Sequence, residues 1–468
     1  MNVFFIPSWY PSATHTLPGI FFRDQALALA RHFPDIKVGI SIWGQNDERL
    51  LLWSGQPVSS LGKVLSKAGI QESVNSIAPN VDELFNPTFT WTNKIFHGNL
   101  MNIIRANDAN LQIFQKCYGN VEIIHAHVGY PAGYIAKKLS EIHGIPYVIT
   151  EQMSPFPHRQ FTDSMSLMNL LMSAFEGASV NIAISNDLAK SMSNAGAKNL
   201  NVIPNLVDDR FFKIPISPVV NKKFTFFSLG RMVPQKGIDI LLHAFAKLTH
   251  DACLRIGGND EKRVEYQQLA SRLGIGEKVL WLGELTREEA AAEFRRCDAF
   301  VLPSRHESMG LVFAEAMACG RPVIATRCGG PEEFIDSATG IVVEAEDAEG
   351  LINAMKNMIA TRSTFSETAI RESCRARFSP ETISQKIMGV YHQVTANKNN
   401  STTRTPPKNE ENGGWEEEEN YFICGHRGGI FLSSPSRSSY IFSVRLLAYF
   451  LSTHTGPAPP RRGRGPTS

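Results

Sequence analysis

A chain of 468 residues is long enough for two or three domains, each with its own core. Its 43% hydrophobic and 20% charged residues exclude a disordered polymer, and no stretch approaches the roughly 18 apolar residues of a spanning helix. Lys and Arg exceed Asp and Glu by 47 − 45 = 2, so the global charge gives no reason to expect nucleic acid as a partner. The 7 cysteines are odd in number, scattered and without a Cys-x-x-Cys pair. They predict reduced thiols in a cytosol and no zinc site.

The chain opens on an apolar run broken by Pro7 and lacking a basic leader, which predicts a strand over 2–7 and no signal peptide. A polar loop then ends at Gly19, where glycine permits a left-handed turn or a close approach of backbone to ligand. A helix is expected over 20–32 and a strand over 36–43. Residues 44–120 show weak periodicity and are expected to form helices and loops; their apolar side chains, Trp53 and Trp91 included, could pack under loops or meet a lipid-linked acceptor or membrane surface. From residue 121 strand and helix patterns alternate, with strands over 121–128, 146–151, 180–185 and 199–205, which predicts a parallel, doubly wound sheet. His125 and His127 stand two apart on one strand and so share a face. With no third ligand nearby, a hydrogen-bonding role at the strand end is the better reading than a metal site.

Residues 211–223 hold two prolines and little pattern, as an interdomain linker does. The alternation then restarts with strands over 224–230, 252–258 and 278–283, and Thr286 with Glu289 makes a capping-box pattern. Arg231 and Lys236 follow the first of these strands, where a planar fork and a point charge could grip one diphosphate. Residues 298–320, DAFVLPSRHESMGLVFAEAMACG, are the most informative stretch. An apolar run over 299–302 predicts a buried strand, a helix is expected over 309–318, and Gly320 with Pro322 stops it. A loop between a strand's carboxyl end and a helix's amino end is where open α/β sheets bind ligands, and the free amides there suit a phosphate or polyoxygen group. Glu307 before the helix and Glu315 inside it can each accept hydrogen bonds from sugar hydroxyls.

This stretch resembles the Glu-x-(seven)-Glu segment of retaining family 4 glycosyltransferases, departing by the apolar exchanges Met309 and Phe313. Residues 5–11, FIPSWYP, followed by PGIF at 18–21, look like the amino terminus of bacterial polysaccharide-biosynthesis members. There a glycine loop faces the donor diphosphate, although many relatives carry two glycines where this chain has Pro18 and Gly19. Residues 230–237, GRMVPQKG, resemble the family's G-R-L-x-x-x-K-G motif, whose basic pair binds that diphosphate. Thr150-Glu151-Gln152 resembles a T-E-H signature in which Gln152 replaces histidine, keeping hydrogen bonds and removing a titratable group.

The resemblance implies an α/β GT-B fold: two Rossmann-like doubly wound domains facing across a cleft. The expected domains are 1–213 on the acceptor side, a linker at 214–223, a nucleotide-sugar domain at 224–378 and a helix at 379–397 that crosses back. The tail at 398–468 is expected to be disordered. It further implies a nucleoside diphosphate sugar donor and a glycan or lipid-linked acceptor, in a cytoplasmic protein that could rest on the cytoplasmic face of a membrane. Lys236 and Arg231 would neutralise the leaving diphosphate, Glu315 would hold the ribose, and Glu307 would hold the donor sugar. His127 and the amides of Gly310, Leu311 and Val312 would assist Glu307, and Gly19 would face the diphosphate. No cofactor or metal is expected, the cation pair standing in its place. The rival readings are an epimerase-like GT-B enzyme and a non-catalytic nucleotide-sugar binder.

Overall fold

The computed structural model describes residues 1–12, 15, 18–52, 56–66, 70–91, 99–213, 222–401 and 430–431. Most of the expected linker (214–221), Trp53 and nearly all of the expected tail (402–429 and 432–468) lie outside the described residues. Met1–Gly429 forms one compact unit. Of the separate unit from Ile430 to Ser468, the described part is the two-residue strand Ile430–Phe431.

Within Met1–Gly429 the first sheet runs in the order Leu200–Val202, Val180–Ala183, Tyr147–Glu151, Ile123–His127, Asn2–Pro7, Lys37–Ile42, Val81–Phe85, Ser73–Ala78. These strands pair in parallel except the last, which is antiparallel to Val81–Phe85. Ile123–His127 and Tyr147–Glu151 are buried at every position, as expected of parallel strands covered by helices on both faces. The hairpin 73–85 corrects the expectation of helices and loops for residues 44–120. Its edge strand, SVNSIA, is only half-buried and rich in small polar residues, so it lacks the apolar run that betrays an inner strand. The same region adds the helices Pro57–Leu65 and Leu100–Tyr118.

The second sheet is wholly parallel, in the order Val279–Gly283, Ala252–Gly257, Phe224–Leu229, Ala299–Leu302, Val323–Arg327, Gly340–Glu344. Its strand order reverses between Phe224–Leu229 and Ala299–Leu302. The first sheet reverses in the same way between Asn2–Pro7 and Ile123–His127. Such reversals splay the connecting loops and open a crevice at the strands' carboxyl ends. Both lobes therefore present their crevices at positions that are read directly from strand order.

The helix Pro380–Ser401 follows the second lobe but packs on the first sheet. Ile383, Ile387, Tyr391 and Val394, spaced by about one helical turn, are buried in one cluster with Val3, Phe5, Val38 and Val148. Tyr391 Oη lies 2.6 Å from His125 Nδ1, and His125 Nε2 lies 2.7 Å from Thr150 Oγ1. Burial drives the His125 pKa down to about 3, so the ring is a neutral hydrogen-bonding spacer. Tyr391→Phe should leave a buried ring nitrogen unsatisfied at a cost of about 1–3 kcal/mol, read as a lower urea midpoint. An unchanged midpoint would mean that the ring finds another partner.

Candidate active site

The second lobe's crevice is built by two loops that the sequence keeps far apart. The turn Pro234–Lys236 follows the strand Phe224–Leu229, and Gly237 closes it at φ 65°. A Cβ on Gly237 would stand 2.0 Å from the Pro303 carbonyl oxygen, so only glycine lets this turn lie against the loop after Ala299–Leu302. Arg305 fastens the two. Its amide donates to the Gln235 carbonyl at 2.8 Å, and its guanidinium forks onto Asp239 at 2.9 and 2.8 Å. Gln235 Nε2 returns a bond to the His306 carbonyl at 2.9 Å.

This seam brings Lys236 and Glu307 together. Lys236 Nζ donates to Glu307 Oε1 at 2.6 Å, and Ser304 Oγ donates to the same oxygen at 2.7 Å. Glu307 is buried and Lys236 half-buried, so the pair is a charge-assisted contact in a partly dry site. No pattern in the sequence showed that the two would neutralise each other. Arg231 sits apart from this pair. Its side chain is 73% exposed, and Nε contacts Asp260 Oδ2 at 3.0 Å.

The helix that carries the second glutamate spans Leu311–Ala318, two residues shorter at its start than expected, because Gly310 adopts φ 79° and cannot continue backward as helix. Gly310 is packed under Phe313 and Pro331. The amides of Leu311 and Val312 follow at the helix start and meet no acceptor among the described residues, leaving the open donors of a helix amino end.

Glu315 is half-buried, and its carboxylate makes no hydrogen bond or ion pair among the described residues. Loss of solvent pushes its pKa up to about 7, while Arg287 pulls the other way and Asp208 and Asp24 add to the rise. Arg287 is already engaged, with Asp24 Oδ2 at 2.5 Å and Asp208 Oδ2 at 3.0 Å. Arg210 pairs with Asp208 at 3.1 Å and with Glu288. An unpaired, desolvated carboxylate is a costly feature for a fold to keep. The cost is offset if a ligand's hydroxyls complete it.

Across the first lobe the expected residues fare differently. Gly19 adopts φ 76° at the start of helix Ile20–His32, and a Cβ there would meet the Trp9 carbonyl at 2.4 Å. Packing alone therefore demands glycine at this position. His127 shares its face with His125, and the rings stack at 4.3 Å. It is not open to the crevice, however. His127 is wholly buried between Phe5, Phe22 and His125, with both ring nitrogens unpartnered among the described residues, and burial, with the neighbouring His125 ring adding to it, holds its pKa far below the usual range. Strand alternation fixes the face of His127, whereas the helix Ile20–His32 decides what covers it. Gln152 Oε1 accepts from Asn205 Nδ2 at 2.9 Å. Glu151 is the organising residue beside it. Its buried carboxylate accepts from the amides of Gly129, Gln152 and Met153 at 2.9, 2.7 and 2.7 Å, which ties the two loops at the strand ends together.

Sequence reasoning missed Ser304, Arg305, Arg287, Asp24 and Asp208. A bidentate Arg–Asp fork has no signature in sequence spacing, since its partners come from separate elements. A crevice of about 490 Å³ borders the Arg287 cluster and is lined by Asp24, Leu206, Asp208 and Ala291 among others, but by none of the expected donor residues. Among the described residues no group of three His, Cys, Asp or Glu could hold a metal ion, and no helix is long and apolar enough to cross a membrane.

Two doubly wound lobes with their crevices at the strand switch points make up a GT-B fold, and the likeness to solved structures agrees. Sucrose-phosphate synthase from Thermosynechococcus elongatus superposes with a TM-score of 0.66 at 21% identity, over 85% of this chain and 100% of that one. Residues 209–374 match the family model of glycosyl transferases group 1, and residues 58–211 match the model of Glycosyltransferase Family 4. Among curated relatives, an uncharacterized glycosyltransferase of Methanocaldococcus jannaschii is 28% identical over 59% of this chain and 76% of its own length. The lipopolysaccharide core biosynthesis glycosyltransferase LpsE of Rhizobium meliloti is 36% identical over 36% of this chain. That second match spans about half of the relative, 49% of its length.

Proposed function

We propose that this glycosyltransferase moves a sugar, with retention, from a nucleoside diphosphate sugar to a glycan or lipid-linked acceptor in cell-surface polysaccharide synthesis. The observation that carries this reading is the Lys236–Glu307 pair beside an open helix amino end, with the unpaired Glu315 inside that helix. In it, Lys236 and the exposed Arg231 take the charge that builds on the leaving diphosphate, electrostatic help that is often the largest part of catalysis. Glu315 accepts the ribose hydroxyls. Glu307, released from Lys236, accepts hydroxyls of the donor sugar, assisted by the amides of Gly310, Leu311 and Val312 at the helix amino end. Domain 224–378 carries the donor, and domain 1–213 carries the acceptor across the cleft. Gly19 faces the diphosphate from that side, and His127 reaches the sugar once ligand displaces its cover. The acceptor attacks the face the diphosphate leaves, and a departing phosphate oxygen takes its proton. With the cations supplied by side chains, the reaction needs no bound metal. The kinship with LpsE supports a surface-glycan acceptor.

The test is a panel of UDP-, GDP- and ADP-sugars scored by thermal stabilisation and then by transfer to glycan acceptors. One donor should raise the melting temperature, with the shift lost in Lys236→Ala and Glu315→Ala. Transfer should then proceed with retained anomeric configuration in the presence of chelator. Donor binding without turnover on any acceptor would favour a sensor, and isomerised free sugar would favour an epimerase.

A further inference from the structure

Two adjacent glutamates in the short turn Pro331–Glu333 face opposite ways. Glu332 turns inward. Its carboxylate accepts from the amides of Cys328 at 3.2 Å and of Gly329 at 2.9 Å. That grip shapes the loop beneath Glu307, because the Glu307 amide donates to the Cys328 carbonyl at 3.0 Å and Glu307 bridges to Gly329 as a short piece of parallel strand. Glu333 turns outward to the first lobe. Its Oε2 accepts from the Asn186 amide at 3.0 Å and from Asn186 Nδ2 at 2.8 Å, and its Oε1 accepts from the Asp187 amide at 3.0 Å. These amides begin the helix Asn186–Asn194, so a carboxylate of one lobe completes the amino end of a helix in the other.

A second contact runs along the same line. A Cβ on Gly329 would lie 2.7 Å from the Glu307 carbonyl oxygen and 3.0 Å from Asp187 Oδ2, so the first lobe's Asp187 leans on the glycine that borders Glu307. Only glycine fits between them, at φ 122°. We infer that Glu333 is a positioning residue that transmits the approach of the first lobe, through Glu332 and the Cys328–Gly329 backbone, to the setting of Glu307. The inference rests on Glu307 holding the donor sugar, as proposed above. Its physical content is that Glu307 becomes ordered for sugar only when helix Asn186–Asn194 is docked on Glu333. A nucleotide held by Lys236 and Glu315 does not require that docking.

Hydrogen exchange on the full chain tests the linkage without substrate. In Glu333→Ala the amides of Asn186 and Asp187 should exchange faster, and the Glu307 amide, which Glu333 does not touch, should speed up about tenfold as well. Glu333→Gln keeps one acceptor oxygen and should fall between, which guards against a variant that merely unfolds. Glu332→Ala should release Glu307 more than Asn186. In turnover, Glu333→Ala should lower kcat about tenfold while the Kd for UDP or GDP stays within about twofold. An unchanged Glu307 amide in Glu333→Ala overturns the linkage, whatever happens at Asn186. A parallel loss of nucleotide affinity overturns it too, by showing a general defect of the second lobe. A released Glu307 amide with undiminished kcat upholds the linkage and instead removes Glu307 from the sugar site.

Discussion

Glu307→Gln is expected to bind the bare nucleoside diphosphate more tightly than the unaltered protein and yet to transfer sugar at least about a hundredfold more slowly. The cause is the 2.6 Å contact that spends Lys236 on Glu307 before any ligand arrives. A diphosphate must take the ammonium group away from a buried carboxylate that Ser304 also steadies at 2.7 Å. Glutamine keeps the shape and the Ser304 contact but releases the cation. An affinity gain of about threefold to tenfold for UDP or GDP follows, equivalent to about 1 kcal/mol. The lost rate has a separate origin, in the acceptor oxygens that the sugar hydroxyls no longer find. Lys236→Ala should do the reverse: it leaves Glu307 buried without its cation, destabilises the chain by about 2–3 kcal/mol and weakens the diphosphate. The double variant should recover stability but not binding. Titration calorimetry and urea unfolding read both effects. Weaker diphosphate binding in Glu307→Gln would show that the carboxylate does not compete for Lys236.

How far such a site can be read in advance depends on which interactions are local. The strand Ala299–Leu302 was legible because four apolar residues in a row, fully buried, are what an inner parallel strand needs. The Thr286–Glu289 capping box was legible because both of its bonds lie within one turn, and both are present. The helix at Leu311 was legible in type but not in its start, which hangs on the left-handed Gly310. The edge strand Ser73–Ala78 was hidden by its exposure. Least legible were the contacts that join distant segments: Glu333 meets Asp187 across 146 positions, and no local pattern records that partnership. His127 shows the same boundary from the other side. Its face followed from alternation along the strand, whereas its burial depended on Phe22, delivered by a helix that begins over a hundred residues earlier in the chain.

Glu315→Gln should stabilise the protein at pH 8, leave it little changed at pH 5, and abolish the nucleotide binding that the unaltered protein shows at pH 8. The Glu315 carboxyl ionises near 7 in the folded chain, against an ordinary value of 4.5. A carboxyl raised by folding adds nothing unfavourable below its unfolded value, where both states hold the proton. Between pH 4.5 and 7 the unfolded chain loses the proton first, so the folded state falls behind; above 7 the whole deficit, about 3 kcal/mol at most, is present. Glutamine has no proton to lose and escapes that deficit. The charged neighbours do not cancel the effect, because Arg287 and Arg210 are already shared with Asp24, Asp208 and Glu288. Binding runs opposite in sign. Accepting two ribose hydroxyls calls for the ionised carboxylate, so nucleotide affinity should rise from pH 6 to 8 in the unaltered protein and vanish in the variant. Melting curves and nucleotide titrations across that range measure both together. A stability gain equal at every pH would trace to packing and not to the charge. A gain confined to high pH, together with lost binding, is the mark of a carboxylate kept unpaired for a ligand.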